Sequence, residues 1–213
     1  MAKDETSIGV IVTDIQGDFT KVKNGSLAVE GADEAYVEAV EENTKRLKAV
    51  GFPIFATQDW HPAKHVSFFT NHQGKKAFDL VKLYGKDQVL WPPHCVQKTP
   101  GAEILLDKEL FVATVKKGMN PEYESYSAFQ DDGGQTTELH SILQALGVKH
   151  LIVYGIATDY CVKASVMDAL NLDYSVIVVE DLIRGVAPDT SATAIAEMKA
   201  AGAEFVSSVK DVK

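Results

Sequence analysis

Short apolar runs alternate along the chain with stretches in which apolar residues recur at a helical spacing. The first part consists of IGVIVTD at 8–14, a helical pattern from about Ala32 to Val50, and a second apolar run, PIFATQD, at 53–59. Gly51 and Pro53 supply a stop after the helical pattern. This order predicts a strand, a helix and a second strand at the start of the chain.

The C-terminal half repeats this alternation more clearly. Runs of β-branched and other apolar residues predict strands, and helical periodicity separates them. The predicted strands lie at 110–115, 150–155, 174–180 and 203–208, and the predicted helices at 136–147, 159–170 and 190–201. Because near-continuous apolar strands are buried on both faces, we predict a three-layer α/β fold with a mostly parallel sheet of about six strands between helices.

Residues 62–109 interrupt the alternation. They are rich in His, Lys, Pro and aromatic residues and show little periodicity. Such a stretch is typical of a long functional excursion from one domain rather than of a second domain. The sequence has no internal repeat, and we therefore predict a single domain over residues 1–213.

Composition narrows the class of protein. The 21 basic residues against 30 acidic ones give a net charge of −9, which would repel a phosphate backbone, so nucleic acid is not an expected partner. The polar start, MAKDETS, and the lack of a long apolar run predict neither a signal peptide nor a membrane span, and we expect a cytoplasmic protein. Two cysteines, Cys95 and Cys161, are too few for a disulfide framework.

Polar residues stand where several predicted strands end. Asp14 follows the first strand, Asp59 and His61 the second, Lys117 the third, and the turn 155–161 the next. Each has a simpler explanation when taken alone, because an Asp after a strand is commonly a turn or helix cap and a Lys there is commonly solvated. Ligands bind beyond the carboxyl ends of the strands in open parallel sheets, so the convergence of these residues predicts a site.

Cys161 lies in GIATDYCV at 155–162, a pattern that predicts a strand-to-helix turn with the thiol in the first helical turn. Backbone N–H groups and the positive end of the helix dipole would favour a thiolate there, and the same amides could stabilise an oxyanion. A small buried hydrophobic residue is the alternative interpretation of the same cysteine.

Asp59 and His61 are two positions apart and therefore face the same side of an extended strand. His94 lies in the stiff segment WPPH and could supply a third ligand. An Asp/His/His set suits zinc, iron or manganese and leaves coordination positions open, although an Asp-x-His pair by itself is common without a metal. His65 is a candidate fourth ligand or a partner of a ligand.

Six segments, in order, resemble a known family: VTDIQGDF (12–19), TQDWHP (57–62), WPPHCVQ (91–97), KKG (116–118), YSAF (126–129) and GIATDYCV (155–162). Together they are similar to the nicotinamidases (pyrazinamidases) of the isochorismatase-like cysteine hydrolase superfamily. The resemblance covers essentially the whole chain and implies the isochorismatase-like hydrolase fold.

The resemblance also implies roles for residues. Asp14 would be the general base, Lys117 its cationic partner and Cys161 the nucleophile; Lys117 matches rather than Lys116 because the family's lysine immediately precedes a glycine. The other implied features are metal ligation by Asp59, His61 and His94, an oxyanion hole from the amides of Ala157 and Cys161, a pocket walled by Phe19, Trp91 and Tyr126, and a cis peptide bond between Ile156 and Ala157.

The implied reaction is hydrolysis of nicotinamide to nicotinate and ammonia through a Cys thioester, in NAD salvage. One divalent metal ion, zinc ahead of iron or manganese, would bind the pyridine nitrogen. Pyrazinamide is a second candidate substrate, and the sequence leaves a homo-oligomer open. Lys98 and Pro93 depart from residues frequent in relatives, which bears on fine substrate preference.

Two alternatives accompany this interpretation. A related cysteine amidohydrolase could act on another small amide, of the maleamate or N-carbamoyl type, but such an enzyme would not need the complete metal set. A non-enzymatic metal-binding or thiol-sensing domain would use the same residues without turnover.

Overall fold

The computed structural model describes residues 7–212, which form a parallel sheet with helices packed on its faces. Six strands make this sheet in the order β5-β2-β1-β6-β7-β8, and β3 and β4 make a separate antiparallel hairpin. The predicted α/β fold with about six parallel strands is confirmed. The strands are β1 Ile8–Thr13, β2 Ile54–Asp59, β3 Leu80–Leu83, β4 Lys86–Val89, β5 Ala113–Lys117, β6 His150–Ile156, β7 Ser175–Arg184 and β8 Glu204–Val206.

The four α-helices of the described chain are α1 Glu34–Val50, α2 Leu139–Ala145, α3 Lys163–Asn171 and α4 Pro188–Ala200. The first shows how local sequence sets the bounds of a helix. Asp33 caps its start by accepting the N–H of Tyr36 at 3.0 Å, and Gly51, with φ of 104°, ends it in a left-handed conformation. None of the helices in residues 7–212 combines the length and apolarity needed to cross a lipid bilayer.

The central strands explain why the sheet is buried on both faces. Every residue of β1 is buried, and all but the first residue of β6 are buried as well. Both strands are rich in β-branched residues, which pack well on a pleated surface covered by helices. Their continuous apolar runs were therefore a reliable signal of strand position.

Two of the differences from the sequence-based expectation have an identifiable physical reason. The strand expected at 110–115 lies at Ala113–Lys117, because Lys108–Leu110 forms a 3₁₀ turn in front of it. The excursion at 62–109 contains the β3-β4 hairpin, which the sequence analysis missed. Each hairpin strand has four residues, and much of the hairpin is exposed, so its alternation is too short and too polar to stand out.

The topology fixes where a ligand can bind. From β1 the sheet grows through β2 and β5 on one side and through β6, β7 and β8 on the other. The switch point lies between β1 and β6, where Thr13 pairs with Gly155. In the neighbouring pair, Asp59 lies opposite Lys117 at the ends of β2 and β5. The carboxyl ends of four strands thus meet at one edge, the usual place of an α/β binding site.

Tyr154 and Thr44 form a buried hydrogen bond between β6 and α1. The Thr44 hydroxyl donates to the Val40 carbonyl at 2.7 Å, so the Tyr154 hydroxyl, at 2.8 Å, donates to Thr44. We expect Tyr154→Phe to lower the free energy of unfolding by about 1 kcal/mol, and Thr44→Val, which leaves the tyrosine O–H without its acceptor, by about 1–3 kcal/mol. The double variant should cost less than the sum of the two, as measured by urea unfolding. Strict additivity would show that the two hydroxyls do not interact.

Candidate active site

Lys117 lies at the centre of the polar residues at this edge of the sheet. Its side chain is fully buried, and its ammonium contacts one oxygen of Asp59 and Oδ2 of Asp14, the latter at 2.9 Å. The same nitrogen lies 3.4 Å from the sulfur of Cys161 and donates to the carbonyl of Ser125 at 3.0 Å. One cation therefore joins the strand ends of β1, β2 and β5 to the turn after β6.

Asp14 follows β1 in a left-handed conformation, with φ of 50°. Thr57 of β2 holds it from two sides, because its hydroxyl accepts the Asp14 N–H at 3.1 Å and donates to Asp14 Oδ1 at 2.5 Å. The other carboxylate oxygen is left to Lys117. A carboxylate oxygen of Asp14, one of Asp59 and the sulfur of Cys161 all lie within 4.8 Å of one another.

Cys161 is presented by the turn after β6. The expected cis peptide bond between Ile156 and Ala157 is present, and Thr158–Val162 then forms a π-helical turn that continues into α3. The predicted position in the first helical turn is confirmed, with π rather than α geometry. Cys161 is buried, and both it and Ala157 line the same cavity.

The pKa of the Cys161 thiol is higher in this site than the sequence predicted. Burial raises the pKa of Cys161 well above its usual value; Lys117 opposes the rise, whereas Asp14 and Asp59 add to it. The prediction that the helical turn favours a thiolate is therefore wrong for this site, because local sequence shows neither the burial nor the two carboxylates. A thiol with a raised pKa can act as a nucleophile only beside a group that removes its proton.

Asp14 has the ionisation suited to that task. Burial raises its pKa above the ordinary value by more than Lys117 lowers it, which makes the carboxylate a stronger base. Burial also opposes the charge of Lys117, but Asp14 and Asp59 outweigh this and raise the lysine pKa well above its ordinary value. The site thus pairs a permanent cation with a basic carboxylate beside the thiol.

Asp59, His61 and His94 form the second part of the site. One ligand atom from each lies within 4.8 Å of the others, and all three residues are buried. Oδ2 of Asp59 is 3.5 Å from Nε2 of His61, and the two imidazole rings are 5.0 Å apart between centroids. Nε2 of His61 has no hydrogen-bond partner among the described residues.

The donor set fits a divalent metal ion. Nδ1 of His61 is 3.0 Å from the Gly118 carbonyl and Nδ1 of His94 is 2.8 Å from the Pro92 carbonyl, so in the neutral rings Nδ1 carries the proton and Nε2 keeps a lone pair for a metal. Burial lowers the pKa of His94 to about 4, which keeps it neutral as a ligand must be. Burial opposes the charge of Asp59, but Lys117 and His61 outweigh it and hold its pKa below the ordinary value.

The glycine that follows the lysine pair, Gly118, has a structural reason. Its φ is 65°, and a Cβ built there would lie 2.3 Å from the ring of His61. Only glycine allows the carbonyl of residue 118 to approach Nδ1 of His61 this closely. The adjacent residues Lys117 and Gly118 therefore contribute to both parts of the site, Lys117 beside the thiol and Gly118 beside a metal donor.

His65 lies beside His61, with ring centroids 4.3 Å apart. Its Nδ1 bonds the Ser67 hydroxyl at 2.8 Å and its Nε2 bonds the Tyr123 carbonyl at 3.0 Å. Glu124 completes a second group of possible metal donors with these two histidines. Because both ring nitrogens of His65 are engaged, the geometry favours a neighbour that packs on His61 over a fourth ligand.

A largely apolar cavity connects the two parts of the site. The three residues expected as pocket walls, Phe19, Trp91 and Tyr126, all line it, and the Trp91 indole donates to the Tyr126 hydroxyl at 3.0 Å. The cavity is also bounded by Cys161 and by two of the metal donors. Its lining is Phe19, Leu27, Val29, Asp59, Trp91, His94, Glu124, Tyr126, Ala157, Tyr160, Cys161 and Val186.

Several residues of this cavity were not predicted from the sequence. Tyr160 precedes Cys161 in the segment GIATDYCV, and an aromatic residue beside a candidate nucleophile is a signal from which it could have been predicted. Leu27, Val29 and Val186 come from loops and are ordinary apolar residues, so nothing in their local sequence marks them. Glu124 likewise has no local signal, since its position beside the histidines arises only from the fold.

Comparison with known proteins agrees with this architecture. The Isochorismatase domain family matches residues 9–209, and the chain belongs to that family. Within it, the chain is 43% identical to the nicotinamidase of Escherichia coli over 199 residues, which covers 91% of this chain and 92% of that protein.

Two solved structures are also similar along nearly their whole length. One is PnC1 from L. infantum in complex with nicotinate, with 33% identity, a TM-score of 0.80 and coverage of 95% of this chain and 93% of that one. The other is the pyrazinamidase of Pyrococcus horikoshii in complex with zinc, with 35% identity, a TM-score of 0.78 and coverage of 94% and 98%.

The contacts of Lys117 generate a prediction. Lys117→Met keeps the length of the side chain but leaves Asp14 and Asp59 buried without their cation, which should cost about 3–5 kcal/mol of unfolding free energy. The pKa of Cys161 should also rise, because the charge that lowers it is gone. Urea unfolding and the rate of thiol alkylation against pH would measure the two effects.

Lys116→Met is the matched control for this change. Lys116 precedes Lys117 in β5 but is exposed, with its ammonium over the ring of Trp60. We expect little change in either measurement for this variant. Identical alkylation profiles for wild type and Lys117→Met would remove the lysine from its electrostatic role.

Proposed function

We propose that this protein hydrolyses nicotinamide to nicotinate and ammonia, a step of NAD salvage. One observation carries the assignment: a single apolar cavity is lined at once by Cys161 and by Asp59 and His94. A flat aromatic amide can therefore present its carbonyl to the thiol and its ring to the metal donors. Nicotinamidase is the activity of the similar E. coli protein, and nicotinate is bound in the similar L. infantum structure.

The first half of the reaction forms a thioester. Asp14 accepts the proton of the Cys161 thiol, and the sulfur attacks the carboxamide carbon. We propose that the backbone N–H groups of Ala157 and Cys161 hold the oxyanion that develops on the carbonyl oxygen. When the C–N bond breaks, the proton held by Asp14 passes to the leaving nitrogen and ammonia departs.

The second half returns the enzyme to its starting state. Asp14, again ionised, takes a proton from a water molecule, whose oxygen attacks the thioester carbon. The C–S bond then breaks, Asp14 returns its proton to the sulfur of Cys161, and the nicotinic acid that forms loses its own proton to water and leaves as nicotinate. Lys117 stays charged throughout and stabilises the thiolate, because its ammonium lies 3.4 Å from the sulfur.

We propose zinc as the metal held by Asp59, His61 and His94. Support comes from the mixed carboxylate and imidazole donors and from the zinc bound in the similar Pyrococcus horikoshii pyrazinamidase. Iron and manganese suit the same donors. When bound, the ion would supply an open coordination position for the pyridine nitrogen of the substrate.

The aromatic walls suit a planar ring. Phe19, Trp91 and Tyr126 line the cavity with aromatic side chains. Pyrazinamide, which also joins a nitrogen heterocycle to a carboxamide, is proposed as a second substrate. We also propose that the chain acts as one domain, because a single sheet draws its strands from Ile8 to Val206.

Ammonia release from nicotinamide is the direct test of the proposed function. We expect turnover by the wild type and none by Cys161→Ala, which should still bind about one equivalent of zinc because nucleophile and metal donors are different groups. Cys95→Ala makes the same change at the other buried cysteine and should remain active. Full activity of Cys161→Ala would refute the covalent mechanism.

Benzamide tests recognition of the ring nitrogen, because it has the same amide and ring shape without that nitrogen. In the zinc-loaded enzyme we expect kcat/KM for benzamide to be roughly tenfold or more below that for nicotinamide, since an unmade polar contact costs about 1–3 kcal/mol. His94→Ala should shrink this gap while leaving Cys161 open to alkylation. Equal kcat/KM for the two amides in the wild type would favour a sister amidase acting on another small amide.

A further inference from the structure

Asp18 lies beside the site but has no part in the reaction proposed above. It belongs to a short 3₁₀ turn, Gly17–Phe19, and is partly buried. Its Oδ2 accepts the N–H of Cys95 at 2.7 Å, and its Oδ1 accepts the N–H of Ser26 at 3.3 Å. Both oxygens of this carboxylate are thus bound by main-chain donors, and the donors come from two different segments.

The first of these segments carries His94. The N–H that Asp18 accepts belongs to the next residue, Cys95, whose carbonyl accepts the N–H of His61 at 3.0 Å. Cys95 has φ of 45°, a left-handed conformation that residues other than glycine rarely adopt. The course of the chain at His94 therefore depends on the groups that hold this peptide, with Asp18 on one side and His61 on the other.

The second segment carries Leu27, which lines the cavity. The main-chain carbonyl of Asp18 accepts the N–H of Leu27 at 3.0 Å, and a Cβ at Gly25 would lie 2.2 Å from that same carbonyl oxygen. The Ser26 hydroxyl in turn donates to the Pro93 carbonyl at 2.7 Å. Asp18 therefore lies where the segment of the cavity wall meets the segment of the metal donor.

Close packing fixes the position of the carboxylate itself. A Cβ at Gly101 would lie 2.1 Å from Oδ2 of Asp18, so glycine at 101 leaves the room that the carboxylate occupies. An asparagine at position 18 has one acceptor oxygen and an NH₂ group, and it could keep only one of the two main-chain bonds. The arrangement therefore requires a carboxylate in this place.

We propose that Asp18 is a positioning residue, which fixes the segment of His94 so that its Nε2 meets a divalent cation together with Asp59 and His61. The inference rests on the metal set of the proposed function and does not depend on hydrolysis. Partners that orient metal ligands typically change metal affinity by about 10–100-fold when they are removed. The effect of Asp18 should therefore appear in metal binding itself.

Zinc binding by the full-length, metal-stripped protein tests this proposal. We expect Asp18→Asn to raise the zinc dissociation constant roughly tenfold or more, as measured by competition with a chelator. The rate of Cys161 alkylation in the metal-free protein should stay within about twofold of wild type, because among the described residues Asp18 accepts hydrogen bonds from Ser26, Leu27 and Cys95 and from none of the groups on the thiol side of the site.

Asp33→Asn is the matched control. Asp33 also accepts a main-chain N–H, that of Tyr36 at the start of α1, and it belongs to neither the triad nor the metal set. This variant should lose some thermal stability and keep its zinc affinity. A general loss of stability would affect both variants, whereas the proposed role affects zinc binding in Asp18→Asn alone.

Gly101→Ala provides a second route, because it keeps the charge of Asp18 but displaces the carboxylate, and it should also weaken zinc binding.

Wild-type zinc affinity in folded Asp18→Asn overturns the proposal, as does a wild type that binds no zinc. If Asp18→Asn does not fold, Gly101→Ala decides by the same criterion, and failure of both to fold assigns Asp18 to the fold instead. A wild type that binds zinc but releases no ammonia refutes the proposed hydrolysis and leaves this comparison valid.

Discussion

The site depends on one interaction, the burial of the Lys117 ammonium between Asp14 and Asp59. A cation without water is stable only where opposite charges and hydrogen-bond acceptors replace its hydration, and the two carboxylates with the Ser125 carbonyl do so here. The dependence is mutual, because two carboxylates this close could not remain buried without the cation. None of the three charges can be understood apart from the other two.

The contacts of Lys117 also separate the site into a thiol side and a metal side. Lys117 contacts one oxygen of each carboxylate, so Asp14 keeps its place beside the sulfur while Asp59 turns its other oxygen towards His61. The thiol side and the metal side are therefore built on a single lysine at the end of β5. A substrate that spans the cavity meets both sides, which suits a molecule with an amide at one end and a ring nitrogen at the other.

Much of the fold and many residues of the site could be predicted from the sequence, for identifiable reasons. Continuous apolar runs predicted the buried strands. The rule that ligands bind at the carboxyl ends of parallel strands then predicted that Asp14, Asp59 and Lys117 lie at one edge of the sheet. The features that could not be predicted depend on information that only the fold contains. The ionisation of Cys161 depends on burial and on carboxylates distant in sequence, and the hydrogen bonds of His65 cannot be read from its spacing.

The strand order has a consequence for how activity arises during folding. The neighbours β5, β2, β1 and β6 are far apart along the chain, so the sheet that unites residues 14, 59, 117 and 161 consists of non-local pairings. Such topologies close late, because the entropy of the long intervening loops must be overcome before the pairings form. No fragment that lacks one of these strands contains the whole constellation, and the return of catalysis after dilution from denaturant reports completion of the entire sheet.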